Sequence, residues 1–117
     1  MEMGDVEEYL QRGIAFKAEG RYEEAIAEFQ EVISADGSNN EAHRQLGLVY
    51  GFVGLFDESL EELKRAVELN PQNLGARNDL AMSYAMLGMY DEAKAEFLAV
   101  LEIDPSNEFA RRELVYF

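Results

Sequence analysis

Cysteine is absent from the 117 residues, so neither a disulfide framework nor a thiolate metal site can form. Proline occurs twice, which suits a helix-rich chain. Histidine occurs once, as His43, and a lone imidazole lacks the converging partners that a metal centre or acid–base catalysis needs. Basic residues are few: 10 Lys and Arg stand against 24 Asp and Glu, for a net charge of -14. Nucleic-acid binding relies on cations that neutralise phosphates, so this balance argues against it. It argues against anionic membrane surfaces for the same reason. No apolar run approaches the length of a membrane span, and the start, MEMGDVEEYL, is acidic and carries no secretory signal. The expected compartment is the cytoplasm.

What the chain does have is globular. Hydrophobic residues make up 48% and charged residues 29%, a balance that excludes a disordered chain and allows one core of ordinary size.

The chain also repeats itself. Gly20, Gly54 and Gly88 stand 34 residues apart, as do Tyr22, Phe56 and Tyr90, and Phe16, Tyr50 and Tyr84. Gly13, Gly47 and Ala81 share that register, as do Gly37, Pro71 and Pro105. Asp36, Asn70 and Asp104 form a further column, as do Asn39, Asn73 and Asn107, and Ala42, Ala76 and Ala110. Three units follow, 6–39, 40–73 and 74–107, with a fourth begun at 108–117. Apolar residues recur at helical spacing within them, as in Ala25, Ile26, Phe29, Val32 and Ile33, and nothing alternates with a period of two.

This pattern resembles the tetratricopeptide repeat (TPR) family. The family's pattern of small residue, aromatic, glycine, aromatic, alanine, aromatic and proline is matched by Gly47, Tyr50, Gly54, Phe56, Ser59, Leu63 and Pro71 in the second unit, and by Ala81, Tyr84, Gly88, Tyr90, Ala93, Phe97 and Pro105 in the third. The first unit departs at Arg12 and Gly37, where leucine and proline are usual. The resemblance implies an all-α, right-handed superhelical solenoid: three helix-turn-helix hairpins plus a C-terminal helix, forming a single domain over 1–117. It explains two of the three glycines in LGLVYGFVGLF. Gly47 lies where the helices of one hairpin cross, and Gly54 ends the first helix in a left-handed conformation. A phosphate loop is excluded, since no strand precedes these glycines and no Gly-Lys-Ser/Thr follows. Gly51 has Lys17 and Ala85 as counterparts, so the repeat does not require it.

The resemblance further implies that the first helix of each pair lines a concave face. The candidate peptide-binding residues there are Leu10, Ile14 and Lys17; then Arg44, Leu48, Gly51 and Phe52; then Asn78, Met82 and Met86; and Arg112 from the last helix. Leu48, Phe52, Met82 and Met86 suggest an apolar groove for a peptide or helix segment of a partner protein. Two alternatives stand beside that reading: the same side chains pack against neighbouring helices, and Gly51 reflects drift. The second helices carry 13 of the 24 acids and 3 of the 10 bases, so the acid is expected on the convex face, as a solvated surface.

Some TPR proteins hold the C-terminal carboxylates of heat-shock chaperones in a clamp of Lys, Asn and Arg side chains. The matching positions here are Leu10, Ile14, Gln45, Gly75 and Asp79. None supplies the cation, so no chaperone carboxylate clamp is expected. No catalytic motif, metal site or cofactor site emerges, and His43 is expected to pack. Near the end, Leu114 and Val115 match inward-facing columns, while Tyr116 and Phe117 are expected partly bare. That end fits either a piece of a longer array or a homo-oligomer contact. The leading expectation is a non-enzymatic interaction scaffold for an unidentified protein or peptide; the alternative is self-assembly through the C-terminal helix.

Overall fold

A computed structural model gives the architecture and describes residues 3–117. Among these residues seven α-helices follow one another: α1 (Met3–Ala18), α2 (Tyr22–Ala35), α3 (Asn40–Phe52), α4 (Phe56–Leu69), α5 (Leu74–Met86), α6 (Tyr90–Ile103) and the short α7 (Glu108–Glu113). A single 3-10 turn, Leu114–Tyr116, ends the chain. Helices pair as α1 with α2, α3 with α4 and α5 with α6, and each pair stacks on the next into a body 43 Å long.

Three turns inside the hairpins share one construction. The φ angles of Gly20, Gly54 and Gly88 are 76°, 84° and 75°, in the left-handed region that glycine enters without steric cost. In the second turn the Gly54 N–H donates to the Gly51 carbonyl at 3.2 Å, and the Leu55 N–H donates to the Tyr50 carbonyl at 2.8 Å. Arg21 to Phe16 and Met89 to Tyr84, both 2.9 Å, repeat that second bond. This is the Schellman closure, which satisfies carbonyls that the helix end leaves orphaned.

The turns between hairpins use side chains instead. Asn39, Asn73 and Asn107 accept hydrogen bonds from the Ala42, Ala76 and Ala110 N–H groups at 2.9, 3.1 and 3.0 Å, capping α3, α5 and α7. A cap of this kind contributes about 1 kcal/mol. Just before it, Asp36, Asn70 and Asp104 accept from the backbone two residues on, each forming an Asx-turn.

Gly47 sits at the α3–α4 crossing. A Cβ there would meet Leu63 Cγ at 2.7 Å and the Ser59 carbonyl at 3.2 Å, so only hydrogen fits. Ser59 Oγ donates to the Gly47 carbonyl at 2.7 Å across the same contact. The core runs as three clusters down the stack, around Phe29, Val32 and Leu46, then Leu63, Ala66 and Leu80, then Phe97, Val100 and Ala110. Burying each large side chain contributes roughly 1.5–3 kcal/mol.

The C-terminal end differs from expectation at Val115, while Phe117 is half-buried. Leu114 and Phe117 pack on the third cluster, and the Phe117 ring lies 5.7 Å from Phe97 and 6.0 Å from Tyr90. Val115, expected inward, is 81% exposed. The helix tightens from α to 3-10 at Leu114, and each 3-10 residue turns further about the axis, which rotates Val115 outward and brings Phe117 back to the core.

Candidate functional site

Helices α1, α3 and α5 present side chains to one face of the stack. Residues of α3, α4 and α5 line an open cavity of about 200 Å³. Leu48, Gly51, Phe52, Met82 and Met86 line it, together with Phe56, Leu63, Ser59, Ser83 and Asp79. Five of the candidate residues therefore converge on one place. Gly51 supplies the room: a Cβ there would touch only Ser59 Oγ at 3.4 Å, so packing does not demand glycine, while a longer side chain would project into the cavity. Lys17, at the matching position of α1, carries a long side chain that reaches across to Gln45. Beneath the cavity the buried Ser83 Oγ has no hydrogen-bond partner.

Polar residues form the wall beside it. Arg44 reaches from α3 to α5, where its Nε donates to Asp79 Oδ2 at 2.7 Å. Gly75 makes that possible, since a Cβ there would come within 2.6 Å of the Arg44 guanidinium. Lys17 reaches from α1 to α3 and donates to Gln45, whose amide donates to Glu41 at 2.7 Å. Burial pushes the Asp79 carboxyl up, and Arg44 and Lys17 pull it only partly back. Burial, and then Arg44, push the Lys17 ammonium down. Three hairpins are thus tied together by charges that answer one another. Asp79 belongs in any count of the groove's charge, and its pairing leaves Arg44 occupied.

Other candidate residues lie elsewhere. Leu10 is 6% exposed and belongs to the first core cluster, and Ile14 packs against the same cluster. Asn78 is 8% exposed and donates to Asn107 Oδ1 at 3.3 Å, joining α5 to the turn before α7. The stack places both Leu10 and Asn78 against a neighbouring element rather than in the opening, so neither is free to touch a ligand. Arg112 is exposed on α7 and lies 5.4 Å from the Phe109 ring, away from the cavity.

The repeat also carries a polar column that was not singled out in the sequence. Glu28, Glu62 and Glu96 each reach back to the preceding helix: to Arg12 at 3.2 Å, His43 at 2.6 Å and Arg77 at 2.9 Å. His43 Nε2 also meets the Gly37 carbonyl at 2.8 Å, as Arg77 Nε meets the Pro71 carbonyl at 2.7 Å. His43 is therefore a structural bracket, as its packing role predicts. The signal was three glutamates at the period of the repeat. Among the described residues no cluster of His, Asp or Glu could hold a metal ion, and no helix is long and apolar enough to cross a membrane.

Stacked two-helix hairpins with one cleft-bearing face define a helical-repeat solenoid. The tetratricopeptide repeat profile matches residues 53–112, and a TPR repeat profile matches residues 13–52. The chain belongs to the tetratricopeptide repeat family. Among curated proteins none matches the sequence. Solved structures do. The first TPR of Spaghetti (RPAP3) bound to the HSP90 peptide SRMEEVD superimposes with a TM-score of 0.93 at 24% identity, over 99% of this chain and 92% of that one. The second TPR domain of human RPAP3 in complex with the HSP70 peptide SGPTIEEVD gives 0.87 at 30% identity, over 92% and 90%. The Arabidopsis OM64 TPR domain gives 0.91 at 20% identity, over 97% and 94%.

Proposed function

We propose that the chain is a non-enzymatic scaffold that holds a peptide or helical segment of a partner protein in its concave groove. The observation that carries this reading is the cavity between α3 and α5, walled by Leu48, Phe52, Met82 and Met86, with Gly51 leaving space for one apolar side chain of the partner. A pre-formed apolar pocket beside a few fixed polar groups is the usual form of a recognition site. The human RPAP3 domain, 30% identical, holds a peptide and so supports the general reading. The acidic chaperone terminus is not proposed as ligand here. Arg44 is already paired with Asp79, and the second oxygen of that carboxylate would repel an incoming one. With a net charge of -14, neither a nucleic-acid nor a membrane partner is proposed.

The test is a panning of displayed random peptides. Leu48→Glu with Met82→Glu is expected to abolish capture while the helical signal and melting persist, and SGPTIEEVD is expected not to bind. Capture that survives in the double variant would sink the groove reading. A second reading, self-association at the α6–α7 end, rests on Val115 and Tyr116, which are 81% and 77% exposed beside an open cleft lined by Tyr90, Lys94 and Phe117. It requires a dimer by light scattering that Val115→Ser with Tyr116→Ser converts to monomer.

A further inference from the structure

Six of the most exposed large apolar side chains share one edge of the molecule: Phe52, Val53 and Leu55 at the α3–α4 turn, and Met86, Met89 and Tyr90 at the α5–α6 turn. Both turns join the first helix of a hairpin to the second, so the stack puts them side by side. Phe52 and Met86 also wall the cavity, which joins the two turns into one surface. The fold does not call for this chemistry. The α1–α2 turn has the same closure and carries Ala18, Glu19 and Arg21 at the positions of Phe52, Val53 and Leu55. Leu55 and Met89 occupy the positions just before α4 and α6, where they make no capping hydrogen bond and where Leu is among the poorest choices for a helix start.

Charge separates the turns in the same way. Arg21 pairs with Glu24 at 2.6 Å and Glu19 at 3.5 Å, so the first turn answers two of its three acids and leaves only Glu23 without an ion pair among the described residues. Asp57 and Glu58 flank the second turn, and Asp91 and Glu92 the third. All four are exposed, and none makes an ion pair among the described residues. Lys94, one turn into α6, is the cation nearest in sequence.

We infer that this edge is a docking surface, distinct from the floor of the groove, for a basic amphipathic helix. The helix lays its apolar stripe across Val53, Leu55, Met89 and Tyr90, and its Lys and Arg flanks meet Asp57, Glu58, Asp91 and Glu92. Charge selects this occupant. A second copy would bring the same unpaired acids against themselves, at a net charge of -14 per chain, and an anionic lipid surface would be repelled.

The probe is a synthetic helix with leucine at i, i+3, i+4 and i+7 spacing and lysine elsewhere, titrated by fluorescence anisotropy. Binding is expected, weakening as salt rises. Leu55→Gln with Met89→Gln, which leaves the charge unchanged, is expected to weaken it roughly tenfold or more. Leu55→Arg with Met89→Arg, which copies Arg21 of the first hairpin, is expected to do so without lowering the melting temperature. Leu48→Gln with Met82→Gln, which adds no charge beside the edge, keeps it intact, and its affinity for the probe is expected to stay within about twofold. The inference is overturned if wild type ignores the probe, if a serine-for-leucine probe binds equally well, or if the Leu55→Gln, Met89→Gln variant binds like wild type. Loss in the groove variant alone would also overturn it, yet leave the groove reading standing. A dimer dispersed by the Leu55→Gln, Met89→Gln variant, or partition into phosphatidylcholine vesicles that this variant abolishes, would overturn it in favour of those occupants.

Discussion

The turn after α1 and the turn after α3 have one backbone and two surfaces. Both place glycine at a left-handed φ, and both return the next N–H to the carbonyl of an aromatic residue one turn back. Yet one shows Glu19 and Arg21 to solvent and the other Val53 and Leu55. Backbone closure constrains the glycine and the aromatic column, because conformation and packing are decided there. Side chains that point away from the stack meet no such demand and are free to serve a partner. Agreement between repeats therefore marks the fold, and disagreement marks the places where the molecule is individual.

Gly47→Val tests a column of small residues, Gly13, Gly47 and Ala81. Its side chain would collide with Leu63 and with the Ser59 backbone, so a loss of about 3 kcal/mol is expected in urea unfolding. A loss below about 1 kcal/mol would mean that the crossing can open easily. Gly54→Ala comes next. Nothing stands in the way of its Cβ, so the cost is that of an alanine at φ 84°, about 1–2 kcal/mol. A neutral result would show that the turn can close without the left-handed residue.

Asp79→Asn probes a disagreement and has the smallest effect. The column reads Gln11, Gln45 and Asp79, so asparagine restores the amide of the other hairpins. Burial raises the Asp79 carboxyl above its ordinary 3.8, so the folded state holds that proton more tightly than the unfolded chain. The contribution is present below 3.8 and is lost as pH rises through the raised folded range. The variant is therefore expected to gain on wild type between acid and neutral pH, in paired unfolding curves. If it loses ground instead, the ion pair with Arg44 outweighs burial.

Most of the fold was legible because the repeat tests each assignment three times. The Gly20, Gly54 and Gly88 column is where the hairpins turn, and Gly47 lies at the crossing. The capping role of Asn39, Asn73 and Asn107 was available from their place just before each helix, and Glu28, Glu62 and Glu96 were visible as a column. The groove was legible in part. Leu48, Gly51, Phe52, Met82 and Met86 meet at the cavity, but Leu10 and Asn78 do not, because a first-helix residue faces either the opening or the next hairpin, and the angle between hairpins decides which.

The sequence by itself determined the number of hairpins, their turns and the residues that cap and cross them. These depend on local φ and ψ preferences, side-chain size and neighbours close in the chain. Tertiary structure alone decided that Arg44 is occupied by Asp79 across two hairpins, that Val115 faces out while Phe117 packs in, and that two apolar turns form one edge. Those facts depend on how the hairpins stack and where the last turn tightens, and both emerge only when packing is solved for the whole chain at once.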